Sequence, residues 1–160
     1  MMPEEILLRN PLKDDLPVFY THQLDKGSAA MAEFPSRDKE AFMAHWTKIM
    51  ADEDVFIQTI LFRGMVAGNI VSFLLGDERM LGYWIGREYW GRGLASESVR
   101  QFLGLEKRRP LFAHVVKHNL ASLRVLEKSG FEILKENLVE LQTGRLVEEF
   151  ILILKARPVT

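Results

Sequence analysis

Apolar and polar residues interleave along 55–63 (VFIQTILFR), 65–76 and 79–86, and the three runs are separated by Gly64 and by Gly76-Asp77. Strand-length runs broken at glycine turns predict an antiparallel meander. From Leu94 the repeat lengthens to 3.6 residues: Ala95, Val99, Phe102 and Leu103 share one face, while Glu97, Arg100, Lys107 and Arg108 lie mostly off it. This is the pattern of a helix of about four turns. Upstream, residues 6–9 (ILLR) read as a short strand, followed by a first helix with Asp14 or Asp15 at its N-cap. A loop over 27–36 comes next, then a second helix that starts at Ser36 or Asp38 and spaces Phe42, Trp46 and Ile49 along one side. Downstream, LFAHVV at 111–116 reads as a buried strand and 119–130 as a helix closed by Gly130. The chain then ends in a hairpin around Thr143-Gly144. The order β, α, α, β, β, β, α, β, α, β, β predicts an α+β (mixed α/β) fold, with a sheet of about seven strands flanked by about four helices. No repeat or linker divides residues 1–160, so one domain is expected.

Composition narrows the functional classes. The formal charge of −1 provides no global field for nucleic acid, so any anion site has to be local. The absence of cysteine excludes thiolate nucleophiles, disulfides and cysteine-based zinc sites. His22, His45, His114 and His118 lack metal-ligand spacing, and no metal is expected. The first ten residues, MMPEEILLRN, are acidic and lack a long apolar run, and the longest apolar runs are of strand length. A cytoplasmic protein with no membrane contact is therefore expected.

Two glycines, Gly91 and Gly93, stand directly before the helix that begins at Leu94. Bare backbone at a helix mouth lets a ligand approach closely, and the first-turn N–H groups have no intrahelical acceptor. Such a mouth favours phosphate, and Arg92 and Arg87 add local positive charge. A tight structural turn would use the same glycines. Neither the dinucleotide GxGxxG pattern nor a GxxxxGK[ST] loop is present.

The segment GYWI, the loop WGRGLA, a helix, a strand and then NLASLRVLEKSGF together resemble the GNAT superfamily of N-acetyltransferases. The form W-G-x-G-x-A, followed by N-x-x-S-x-x-V-L-E-K-x-G-F, is similar to its RimJ/RimL-like branch. Trp90 takes the place of a Gln or Arg in the family's loop, Gly93 that of its glycine and Ala95 that of its last small residue. The resemblance implies a mostly antiparallel mixed sheet splayed between strands 4 and 5, with acetyl-CoA in the splay as acetyl donor. It further implies that backbone groups around Trp84 and Ile85 pair with the pantetheine arm. Gly91, Arg92, Gly93, Leu94, Ala95 and Ser96 would receive the pyrophosphate. A bulge in the GYWIG strand would free an N–H to polarise the thioester carbonyl.

Asn119, Ser122 and Leu126 fall on one face of the later helix. Many family members carry a tyrosine where Leu126 stands, as the acid for the departing thiolate. The resemblance therefore passes that role to Ser122, although a helical serine can also bond its own backbone. Asn119 would contact the cofactor, cap the helix, or both. His114 is a candidate base or an ordinary strand residue, and Glu97 is expected to be structural. Phe34 and Trp84 are expected at the acceptor pocket. The acceptor is a primary amine, either the α-amine of a protein N-terminus or a small molecule such as an amino acid, polyamine, amino sugar or antibiotic. An acyl-CoA sensor without turnover is the reading from another class. Treating FILIL (150–154) as an edge strand leaves a homodimer open.

Overall fold

The computed structural model describes residues 5–25, 27, 29, 37–141 and 143–156. Seven strands form one sheet: β1 (Ile6–Arg9), β2 (Phe56–Phe62), β3 (Met65–Leu75), β4 (Glu78–Ile85), β5 (Leu111–Val116), β6 (Glu132–Glu140) and β7 (Leu146–Leu154). Four longer helices are described: α1 (Leu16–Leu24), α2 (Lys39–Met50), α3 (Leu94–Leu105) and α4 (Leu120–Lys128). The strand order is β1-β2-β3-β4-β5-β7-β6. Every neighbouring pair is antiparallel except β4 and β5, which are parallel and in register only at Met80↔Phe112. Beyond that point the two strands diverge, giving the splay that the family resemblance implies.

Helices cover both faces of the sheet. Ile70 and Val71, adjacent on β3, point to opposite sides and join different apolar clusters. On one side Leu94, Val99 and Phe102 of α3 and Leu126 of α4 pack with Ile60, Ile70, Leu81 and Leu111 of the strands. On the other, Leu16 and Phe19 of α1 meet Phe42 and Trp46 of α2 over Ile57. The period of 3.6 read from Leu94 thus has its partner, because α3 buries its stripe in the larger core.

Helix ends follow local chemistry in three cases. Asp38 caps α2 by accepting the Ala41 N–H at 2.8 Å, and Asn119 caps α4 by accepting the Ser122 N–H at 3.3 Å. After α4, Phe131 donates to the Leu126 carbonyl at 3.0 Å and Gly130 donates to that of Glu127 at 3.1 Å, with Gly130 at φ 101°. This is a Schellman closure with glycine where a left-handed residue is required.

Three expectations are corrected. Asp15 holds the N-cap position of α1 as expected, but its side chain makes no cap bond: the buried carboxylate accepts instead from the Leu12 N–H, the Thr59 hydroxyl and both arms of Arg9 at 2.7–2.8 Å. It ties the turn before α1 to β1 and β2. Burial pushes this carboxyl up, and the hydrogen bonds from Arg9, Leu12 and Thr59 outweigh that and hold it below its usual range. The GYWIG strand carries no bulge, because β3 and β4 keep register from Gly68↔Ile85 to Leu75↔Glu78; the shifts lie in β2–β3 and β6–β7. Finally, FILIL is interior: β7 is paired on both sides, and the edges of the sheet are β1 and β6.

Candidate active site

The site forms where β4 leaves β5. Gly86 donates to the Ala67 carbonyl at 2.8 Å, which continues the β3–β4 register. In an antiparallel ladder this turns the backbone groups of Gly86 and Trp84 toward β3 and those of Ile85 and Tyr83 toward the gap. Trp84 therefore spends its backbone groups on the ladder, and Tyr83 and Ile85 offer theirs to an occupant. The Ile85 carbonyl already accepts the Trp90 indole N–H at 3.0 Å, which anchors the following loop to the end of the strand. Gly68 permits the tight crossing beneath, since a Cβ there would lie 2.2 Å from the Trp84 carbonyl oxygen.

The loop ends in a left-handed pair. Gly91 and Gly93 have φ of 76° and 77°, and a Cβ on either would meet nothing within 4 Å. Their need for glycine is thus conformational, and the space in front of them is open. Gly93 is the N-cap of α3 without a side-chain cap, and the first intrahelical bond runs from the Glu97 N–H to its carbonyl. The N–H groups of Leu94, Ala95 and Ser96 consequently have no acceptor within the helix.

A cavity of about 560 Å³ joins these pieces. Of the residues expected from sequence, Trp84, Ile85, Gly91, Gly93, Leu94, Ala95, Ser96, Asn119 and Ser122 all line it. Arg92 does not; its guanidinium stands 5.7 Å from the centre of the Phe62 ring. Arg87 pairs with Asp25 at 3.6 Å and lies 5.9 Å from the Trp90 ring centre, so both arginines brace the loop. Phe34 lies outside the described residues. Glu97 is held by Arg100 and Gln101, as a structural residue would be. Leu126 is buried in the core and contributes no polar group.

Sequence reading passed over Tyr83. Its hydroxyl lies 2.7 Å from the Ser122 Oγ, bridging β4 to the first turn of α4. Burial pushes the phenol up to about 12 against the lowering effect of Ser122, so it stays protonated at neutral pH. Strand alternation was the available signal: Tyr83 shares a face with Leu81 and Ile85, whereas Trp84 points to the other side.

On β5, His114 turns away from its core neighbours Ala113 and Val115, and its Nδ1 lies 3.1 Å from a carboxylate oxygen of Glu149. Glu149 is buried and also accepts from Asn137 at 3.0 Å. An ionised carboxylate can only accept, so the pairing puts a proton on Nδ1 and leaves Nε2 as a lone-pair acceptor when the ring is neutral. Among the described residues no cluster of His, Asp or Glu is arranged to hold a metal ion. No described helix is long and apolar enough to cross a membrane.

The family model described as an acetyltransferase (GNAT) domain matches residues 5–132. "Probable N-acetyltransferase YjcK" of Bacillus subtilis (strain 168) is 27% identical over 105 residues, which cover 63% of this chain and 55% of that protein. The match thus spans about half the length of that relative. Among solved structures, a spermidine N-acetyltransferase from Vibrio cholerae in complex with CoA and spermine aligns with a TM-score of 0.79 at 14% identity, covering 95% of this chain and 96% of its own. RimL, a ribosomal alpha-N-protein acetyltransferase, aligns with a TM-score of 0.78 at 16% identity over 94% and 90% of the two chains. At such identities these are likenesses of fold.

Proposed function

The chain belongs to the GNAT acetyltransferase family, and from that premise we propose that it transfers the acetyl group of acetyl-CoA to a primary amine, the α-amine of a peptide N-terminus. The observation that carries this reading is the convergence of an open glycine-bounded helix mouth, a backbone edge in the β4–β5 gap and the Ser122 hydroxyl on one cavity. These features fit an elongated ligand with an anionic middle. The free N–H groups of Leu94, Ala95 and Ser96 would take the pyrophosphate. The gap-facing groups of Ile85 and Tyr83 would pair with the pantetheine arm as an added strand. Acetyl-CoA supplies an activated thioester, and the residues around it supply position and proton traffic.

In the transfer the amine nitrogen forms a bond to the acetyl carbon, and the carbon–sulfur bond breaks with its electron pair leaving on sulfur. The amine loses one proton and the sulfur gains one. His114 is not among the residues that line the cavity, so the first proton would reach its Nε2 through water, with Glu149 holding Nδ1, and Ser122 delivers the second. Water restores both groups, so each turnover leaves the enzyme's protonation unchanged.

The choice of an α-amine rests on its acidity. With a pKa near 8, neutralising it at pH 7.4 costs under about 1 kcal/mol, against about 4 kcal/mol for a lysine side chain. A single imidazole reached through water therefore suffices. The likeness in fold to RimL supports the same acceptor; the likeness to the spermidine enzyme supports a polyamine instead. Calorimetric titration with acetyl-CoA, then thiol release over N-terminal peptides, polyamines, amino acids and aminoglycosides, separates them. Release with peptides alone is expected. Release with polyamines or another small amine alone would overturn the acceptor, binding without any release would make the protein an acyl-CoA sensor, and absence of binding would overturn the donor.

A further inference from the structure

We infer that Tyr83 is a positioning residue for Ser122: its phenol donates to the Ser122 Oγ across the β4–α4 seam and so directs the serine's own hydrogen toward the sulfur of bound CoA. The inference rests on the reading of Ser122 as the group that serves that sulfur.

Ser122 sits in the first turn of α4, where the residue four back, His118, precedes the Asn119 cap and offers no helical carbonyl; hydroxyls deeper in a helix ordinarily bond the carbonyl one turn back. Other hydroxyls of this protein do so: Ser129 bonds the Val125 carbonyl at 2.8 Å, Thr47 that of Met43 at 2.8 Å and Thr21 that of Pro17 at 3.0 Å. Ser122 instead meets Tyr83 at 2.7 Å, an ordinary length for a hydrogen bond between two hydroxyls. Of the two, the phenol is much the stronger acid and is the natural donor. A serine hydroxyl carries one hydrogen and two lone pairs, so accepting from Tyr83 leaves its hydrogen available to a third group. Both side chains line the cavity at the divergence of β4 and β5, so that third group is an occupant of the cavity. Two hydrogen bonds in series polarise each other, and the serine becomes a better donor to a developing thiolate than a lone hydroxyl would be. The phenol's burial keeps it protonated far above neutral pH, so the donor role is constant over the working range.

This arrangement also accounts for the leucine at position 126. A tyrosine reaching the cavity from β4 leaves the deeper position on α4 free to serve the core, where Leu126 is buried.

The test uses the ionisation of the thiol of bound CoA, read from thiolate ultraviolet absorbance during a pH titration, and requires neither turnover nor a known acceptor. The reference is the ionisation of free CoA titrated in the same buffer. A hydrogen bond from Ser122 to the thiolate is expected to lower the bound value by about one unit, as such charge-assisted bonds do. Ser122→Ala should abolish that lowering, Tyr83→Phe should remove about a quarter of it, and the double variant should match Ser122→Ala with no further rise. Tyr83→Phe keeps the ring, and well below the pH at which the thiol ionises, where linkage makes binding independent of a bond to the thiolate, CoA affinity by calorimetry should be nearly the same in all three, which shows that each still folds around the ligand. A wild-type value with Tyr83→Phe beside a raised value with Ser122→Ala would overturn the role of Tyr83 and leave that of Ser122 standing. Equal shifts from Tyr83→Phe in the presence and absence of Ser122 would make the tyrosine an independent or merely structural group. An unshifted thiol in the wild-type protein, unaffected by Ser122→Ala, would instead overturn the reading of Ser122 itself.

Discussion

At the scale of single residues, Gly93 separates two uses of glycine. A side chain there meets no neighbour within 4 Å, so the fold resists substitution only through the backbone conformation at φ 77°. Gly93→Val is expected to cost about 1–2 kcal/mol of stability. It should also weaken acetyl-CoA binding about tenfold or more in calorimetry, because the branched side chain fills the approach to the N–H groups of α3. Stability lost without any loss of affinity would take the phosphate away from this loop. Gly93, Asn119 and Ser122 were legible in the sequence because their spacing is local: a glycine before a helical stripe, and a cap three residues from a serine. Tyr83 was not, because its importance arises from a contact with a residue 39 positions away. Trp84, which also lines the cavity, is conspicuous by its size, whereas the direction of a strand residue is visible in a sequence only through its alternation.

At the scale of elements, every strand and every long helix that the periodicity predicts is present; Gly27 and Ala29, expected in a loop, are helical, with the Ala29 N–H on the Asp25 carbonyl at 3.0 Å, and the other departures lie at termini and edges. Asp15 has the composition of a cap, but Arg9 and Thr59 compete for its carboxylate, and a tertiary pairing wins over the local one. FILIL has the composition of a strand, and nothing in its residues tells an edge from an interior; that depends on β6 returning outside β7. The close of α4 is where local chemistry and packing agree. Gly130 has φ 101°, and a Cβ there would stand 3.3 Å from the Leu154 side chain. Gly130→Ala is therefore expected to lower stability by about 1–2 kcal/mol. Chemical denaturation measures it, and an unchanged midpoint would show that the turn tolerates another geometry. CoA affinity should hold, since the substitution lies at the opposite end of α4 from Asn119 and Ser122.

At the scale of the whole molecule, stability is linked to acid through buried carboxylates. Burial pushes the Glu106 carboxyl up, and hydrogen bonds from the Arg108 side chain and backbone and from Ser72 outweigh it, bringing it down to about 2. Asp15 is held low in the same sense. A carboxyl whose folded value lies below its unfolded value of about 4 stabilises the fold at all higher pH and loses that contribution as pH falls toward the folded value. Unfolding free energy should therefore fall between about pH 4.5 and pH 2. Glu106→Gln should lose about 2 kcal/mol at neutral pH and show a shallower acid decline; equal slopes for the two proteins would exclude Glu106 as the source. The single parallel register point between β4 and β5 has a consequence of another kind. The sheet is two ribbons, β1–β4 and β5–β7–β6, hinged at Met80 and Phe112 and strapped by α3. A ligand that fills the gap as an extra strand stitches the ribbons together, so a donor bound as proposed would act as a structural part of the sheet during each catalytic cycle. At a hundred times its dissociation constant, acetyl-CoA should add about 2.7 kcal/mol to the stability of the whole domain. Amide exchange should then slow at the far hairpin, Leu138 and Leu146 included, as well as at the residues that line the cavity, because opening either ribbon would first require releasing the ligand.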